Sequence, residues 1–364
     1  MSWTDERLAR LQLARSHGVG PLTFQSLLRK YETAEAALDA LPGLTGVSRQ
    51  KDFRIASRDT ALREVELTEK SGAQILFETD DAYPFLLSQI EPPPPVIVVS
   101  GNVSLMARPC IAIVGARNAS ASAVRIANDL ARDLGQAGWV TVSGLARGID
   151  ASAHRGSLET GTTGVIAGGI DNIYPRENEA LFASLHQDGL ILSESAIGYT
   201  PKAQDFPRRN RLITGLSRAV IVVEAAKKSG SLISARMALE QNREVMAVPG
   251  SPLDPRTRGS NNLIRTGAHL IENADDVIAL LSEQSQTSFD FKPEKIASED
   301  PRKSLMQDES LKKVRSALGP TPTTLPDLAR ACGLTERECA VHLVELELTG
   351  EAVSLPGGLI QKSL

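Results

Sequence analysis

Ile111-Ala-Ile-Val-Gly-Ala-Arg117 decides the fold. Four apolar residues that break on a glycine and an arginine, with a helical pattern after them, read as a strand buried on both faces and running into a loop. Val140–Ser143, Gly164–Ala167, Leu190–Ser193, Val220–Val223 and Val245–Val248 repeat the pattern, with helical segments between them. That rhythm predicts an α/β fold, a parallel sheet with helices on both faces. The strand ends lead into Gly115-Ala-Arg117, Gly144-Leu-Ala-Arg-Gly-Ile-Asp150, Gly168-Gly-Ile-Asp171, Glu194-Ser195, Glu224 to Ser231, and Pro249-Gly-Ser251. In an open α/β sheet the ligand crevice lies outside this edge, so the loops are expected to converge on one site.

The chemistry of those loops suits an anion. Asp205-Phe-Pro-Arg-Arg-Asn-Arg211 sets three arginines and an aromatic ring at the start of a helix, in a chain whose formal charge is only −4. Guanidinium forks match phosphate oxygens, helix N-termini add unpaired N–H groups, and Phe206 offers a stacking face, so a polynucleotide is the expected ligand. The net charge argues against indiscriminate polyanion binding and for a local basic patch. Lys228 beside Ser229-Gly-Ser231 forms a candidate anion nest, Arg147 a candidate phosphate contact, and Asn261 an amide at the same edge or a helix cap. The turn after the first strand lacks the second and third glycines of G-x-G-x-x-G, and there is no G-x-x-x-x-G-K-[ST] loop, so no nucleotide cofactor is expected. Ser143, Asp150 and His154 lie close together without a nucleophile elbow; a helix-capping Asp150 and a partly buried His154 are the preferred reading.

Around this core, residues 4–40 read as short helices broken at His17-Gly-Val-Gly-Pro21, a helical domain whose glycine turns are either ordinary or of the kind that meets DNA phosphate. Polar residues from about 284 to 306 read as a linker. Helices at Glu309–Leu318, Leu325–Ala331 and Thr335–Leu348, then a hairpin around Pro356-Gly-Gly358, describe a winged helix. Its third helix carries Glu336, Glu338, Glu345 and Glu347 against the one base Arg337, so protein contact is expected of it rather than groove reading. No apolar run is long enough to span a bilayer. The three cysteines, Cys110, Cys332 and Cys339, form no paired motif, and the N-terminus lacks a leader pattern; both suit the cytoplasm.

The series Ile113-Val-Gly-Ala-Arg117, Ser143 to His154, Tyr174-Pro175, Ser193-Glu194, Phe206-Pro-Arg-Arg-Asn-Arg211, Lys228-Ser-Gly-Ser231, Val248-Pro-Gly250 and Gly259-Ser-Asn-Asn262 closely resembles the DNA-processing protein A (DprA/Smf) family of bacteria, over about Asp80 to Leu281. The resemblance implies an extended Rossmann-like sheet over 76–283, between a helical domain at 1–75 (SAM or helix-hairpin-helix-like) and a winged helix at 307–364. It further implies a non-enzymatic protein that binds single-stranded DNA during natural transformation, protects it and loads RecA recombinase, as a homodimer through the Rossmann-like domain. Arg117, Phe206 and Arg209 are the positions it places on backbone and base, with Lys202 near another basic position. Gly115, Gly144, Arg147, Arg208, Asn210, Arg211, Lys228, Ser229, Gly230, Ser231 and Asn261 complete the candidate set. The rival reading is a Rossmann-like nucleotide hydrolase resembling phosphoribohydrolases, although Arg236 stands where their acid would lie.

Overall fold

The computed structural model describes residues 3–43, 53–287, 310–348, 351–355 and 359–362. The chain divides into two compact units, Met1–Ser285 and Gln286–Leu364.

The first unit opens with helices α1 (Asp5–Arg15), α2 (Pro21–Tyr31), α3 (Ala34–Ala40) and α4 (Arg58–Lys70). Thr4, Thr33 and Ser57 cap α1, α3 and α4 by accepting from N–H groups in their first turns. The expected break is present: Gly18 takes φ +89°, and Pro21 opens α2 at a position where its missing N–H costs nothing. Leu13, Phe24 and Leu41 are buried at the centre of this group. The apolar-glycine turn expected at 41–46 is described only as a short turn over Leu41–Gly43; its remainder lies outside the described residues.

There follow β1 (Gln74–Phe77), a single helical turn α5 (Phe85–Ser88), β2 (Val96–Gly101), β3 (Cys110–Val114), α6 (Ala121–Gln136), β4 (Val140–Ser143), α7 (Ile149–Ser157), β5 (Thr162–Ile166), α8 (Glu179–Asp188), β6 (Leu190–Ser193), α9 (Asp205–Gly215), β7 (Ala219–Val222), α10 (Ser231–Glu240), β8 (Glu244–Ala247), α11 (Arg258–Arg265), β9 (His269–Leu270) and α12 (Ala274–Thr287). Nine strands form one sheet in the order β1-β2-β6-β5-β4-β3-β7-β8-β9. From β6 to β9 the strands are parallel; β2 runs antiparallel to β6, and β1 antiparallel to β2. The six strands read from sequence are in place to within two residues, whereas β1, with only the short run Ile75-Leu-Phe77, and the two-residue β9 were not read as strands.

Alternation along β3 explains the layers. Ile111 and Ile113 face a core shared with Ala127, Leu134 and Val277 of α6 and α12, while Ala112 and Val114 face one shared with Leu212, Ile213 and Ala235 of α9 and α10. The strand order reverses between β3 and β7, which pair through Ala112↔Val220 and Val114↔Val222. That is the topological switch point, where a crevice opens beyond the strand ends. The N-terminal helices pack on the antiparallel edge, with Leu8, Leu11 and Val65 against Phe77, Val96 and Ile191. Arg15 clamps that contact: it is paired with the buried Glu64 at 2.8 Å and donates to the Glu194 carbonyl at 2.9 Å.

In the second unit, α13 (310–317), α14 (Leu325–Cys332) and α15 (Glu336–Leu348) accompany β10 (Thr323–Thr324), β11 (Ala352–Leu355) and β12 (Leu359–Lys362), ordered β10-β12-β11. Val314, Leu328, Cys339, Leu346 and Ile360 form its core. Three helices backed by a small antiparallel sheet make a winged helix. Its hairpin tip, 356–358, and most of the expected linker lie outside the described residues; the beginning of that linker, through Thr287, is the end of α12.

Candidate nucleic-acid interface

The crevice is built from the loops after β3, β4, β5 and β7 and the first turns of α9. Immediately after β3, Gly115 lies so close to α7 that a Cβ there would be 2.6 Å from Ile149. The chain therefore turns tightly and delivers Arg117 to the surface. No ion pair among the described residues engages Arg117, and its guanidinium carbon stands 5.8 Å from the centroid of Phe206. Phe206 is half-buried and packs against Tyr174, ring centroids 5.2 Å apart and planes inclined at 50°.

Arg117, Tyr174 and Phe206 form a common wall between two grooves. On one side is a space of about 790 Å³ reached by Gly144, Arg147, Asp171 and Arg176. On the other is one of about 810 Å³ reached by Gly115, Asn210, Lys228, Ser229, Gly230, Ser231 and Arg256. In the second groove Ser229 and Ser231 hydroxyls bond each other at 2.7 Å. Ser229 N and Ser231 N are bonded to the Ala226 carbonyl and to Ser229 Oγ, while the Gly230 N–H at the start of α10 makes no hydrogen bond among the described residues. Lys228 is exposed beside it. This is the concave, donor-rich form of an anion nest.

The helix α6 begins at the position where a dinucleotide fold would seat its pyrophosphate. Here the buried Glu224 occupies it, accepting from Ser120 N at 3.1 Å and from Ser120 Oγ at 2.7 Å. A protein carboxylate thus fills the anion position of that helix, and the open donors of the crevice lie on Arg117 and the 228–231 loop.

The arginines of α9 divide by face. Arg208 points outward, 56% exposed, with only a 3.9 Å approach to Glu194. Arg209, expected on phosphate, is buried and turns inward: Nη1 donates to the carbonyls of Gly144, at 2.8 Å, and Val165. Asp150 lies beside it, and burial lowers the guanidinium to about 10, which leaves it charged at neutral pH. Burial also raises the Asp150 carboxyl, with Arg209 opposing the shift. Gly144 serves this pair, since a Cβ there would come within 2.8 Å of both Arg209 Nη2 and Asp150 Oδ2. Arg211 is also held internally, bonded to Glu194 at 2.5 Å and to the Pro92 carbonyl at 3.0 Å.

The remaining candidates are spread wider. Arg147 is exposed, 3.6 Å from Glu177. Lys202 and Asn261 line neither groove; Lys202 N caps onto Asp205, and Asn261 bonds Gly250 through both amide atoms, holding the loop after β8. Asp150 is not the cap of α7, which is Gly148 at φ +75°; its role is countercharge to Arg209. His154 is fully rather than partly buried, bonded to Thr162 at 2.7 Å, and burial drives its pKa down to about 3. It is neutral at physiological pH and cannot reach the crevice as an acid or base. Sequence reasoning missed Tyr174 and Arg256 as groove residues. The Tyr174-Pro175 pair was visible, yet nothing in one dimension brings it to Phe206.

Known proteins resemble this chain in each of its domains. Residues 74–282 match the model of the DNA recombination-mediator protein A family, residues 4–66 that of a DprA-like N-terminal HHH domain, and residues 298–358 that of a DprA winged helix domain. The DNA processing protein DprA of Bacillus subtilis is 46% identical over 206 residues, 56% of this chain and 69% of that one. Protein Smf of Synechocystis is 33% identical over 394 residues, covering 98% of this chain and 99% of that one. Among solved structures, DNA processing protein A of Streptococcus pneumoniae superposes with TM-score 0.63 at 32% identity, over 77% of this chain and 98% of that one. The protein of that name from Helicobacter pylori, described for its single-stranded DNA binding mode, gives 0.54 at 31% identity, over 58% and 96%. With a sheet domain, a helical domain and a winged helix all matched in order, the chain belongs to the DNA recombination-mediator protein A (DprA/Smf) family.

Proposed function

We propose that this chain binds single-stranded DNA across the two grooves, with phosphates on Arg117, Lys228 and the Ser229–Ser231 loop and a base against Phe206. The observation that carries the reading is the Arg117 guanidinium, unpaired among the described residues, beside the half-buried Phe206 ring at the switch point. A cation for the backbone and a ring for the base, side by side, are the minimum for sequence-tolerant binding of an unpaired strand. A duplex hides the faces of its bases, so this arrangement favours the single strand. The Helicobacter relative, solved for its single-stranded DNA binding, supports the same reading.

On this account the protein is a binding module of natural transformation that shields incoming strands and hands them to RecA recombinase, working in the cytoplasm as a homodimer through its Rossmann-like domain. We read the grooves as non-catalytic: Asp150 and His154 are buried and internally engaged, and Arg236, where the rival hydrolase needs an acid, pairs with Glu240 on the surface. The test is a mobility-shift comparison of single-stranded with duplex oligonucleotides on the full chain, alongside assay for base release from nucleoside monophosphates. Preference for the single strand without base release is expected; base release would restore the hydrolase.

A further inference from the structure

The groove reached by Arg147 and Arg176 contains a carboxylate that a phosphate cradle would exclude. Asp171 is exposed and lines the same cavity as Arg117, Tyr174 and Phe206. It is held in place: Oδ1 accepts from Gly198 N at 2.7 Å, and Gly198 takes φ +82°. Gly169 packs beneath it so closely that a Cβ would lie 2.6 Å from Asp171 Oδ1. No described residue bonds Oδ2. A fixed negative acceptor repels phosphate oxygens; Arg147 and Arg176 line this groove too, but Glu177 and Glu179 stand with them, whereas the groove across the wall has Lys228, Arg256 and the Gly230 N–H with no exposed carboxylate in its lining. The two grooves therefore sort the strand into backbone on the Lys228 side and base on the Asp171 side.

We propose that Asp171 is a specificity-determining residue that reads the Watson–Crick edge of the base lodged against Tyr174 and Phe206, and that it selects bases carrying an exocyclic amino group over thymine. This rests on the single-stranded DNA reading above. The amino N–H groups of cytosine, adenine and guanine donate to Oδ2. Thymine presents carbonyl oxygens on either side of one N–H, and these face the carboxylate with like partial charge. A polar group left unpaired in the site is what creates discrimination between otherwise similar ligands.

Cytosine and thymine isolate the effect, since ring size, stacking and backbone are shared. Binding of the full-length protein to oligo(dC) and oligo(dT) of equal length is expected to favour oligo(dC) by roughly fivefold, the worth of about one net hydrogen bond. Asp171→Asn keeps an oxygen for Gly198 N–H and turns the free oxygen into an amide donor, so the ratio should fall to about one or reverse while oligo(dT) affinity is kept or improved. Equal affinities in the parent protein, or a ratio unchanged in Asp171→Asn, would overturn the proposal. If neither oligomer binds, the single-stranded DNA reading fails and this one with it; binding without preference defeats this one alone.

Discussion

Arg209 Nη1 donates to the Gly144 carbonyl at 2.8 Å, tying the first turns of α9 to the loop after β4 beneath the crevice floor. The arrangement turns one arginine of a basic cluster into a fixed internal post and leaves its neighbour Arg208 to solvent. Position along a helix, rather than residue type, assigns the two roles.

Replacing this post should show in stability. Arg209→Met leaves Asp150 as an uncompensated buried charge and is expected to cost about 3–5 kcal/mol. Gly144→Ala pushes a Cβ into the same pair and should cost about 1–3 kcal/mol, as overpacking does. Arg208→Ala should stay within about 0.5 kcal/mol of the parent, as exposed sites do. Urea unfolding of the three variants provides the check. An Arg209→Met protein as stable as the parent would remove the internal role.

At the wall between the grooves, losses should fall on binding instead. Phe206→Ala removes the stacking face and is expected to weaken single-stranded DNA binding by about 1–3 kcal/mol with little dependence on salt. Circular dichroism of the variant should match the parent. Fluorescence anisotropy with a labelled oligonucleotide measures the loss, and unchanged affinity would place the base elsewhere.

His154 predicts a pH effect. Its ordinary pKa of 6.5 falls to about 3 on burial, so between those values the unfolded chain binds a proton that the folded chain does not. Stability from the neutral imidazole is complete above pH 6.5 and is lost as pH falls. The slope is about 1.4 kcal/mol per pH unit near pH 5. His154→Asn preserves an acceptor or donor for Thr162 and cannot titrate. It should be less stable at pH 7, and its stability should fall less steeply between pH 6.5 and 4. Parallel pH profiles for the two proteins would contradict the assignment.

Strands buried on both faces were legible because their apolar runs are continuous. The rule that places ligands at the strand ends then gathered Gly115, Gly144 and Ser229–Ser231 at one rim before any contact was known. The two outermost strands were not legible: β1 is four residues with one face under the N-terminal helices, and β9, at the opposite edge, is two exposed residues. Nor could spacing tell Arg208 from Arg209, since the difference depends on which face of α9 meets β5. Glu224 reads in sequence as part of a basic loop; only its contact with Ser120, more than a hundred positions away, shows it closing the end of α6. Tyr174 joins Phe206 by the same kind of long-range convergence.

The central claim is that Arg117 grips the phosphates of an unpaired strand. The most direct measurement is the salt dependence of single-stranded DNA binding, made on the parent protein and on Arg117→Ala. With about three to four phosphates neutralised, log K against log salt should have a slope of about −2 to −3 in the parent, and one shallower by about 0.7 in the variant, with weaker binding throughout. Identical slopes and affinities for the two proteins would contradict the account.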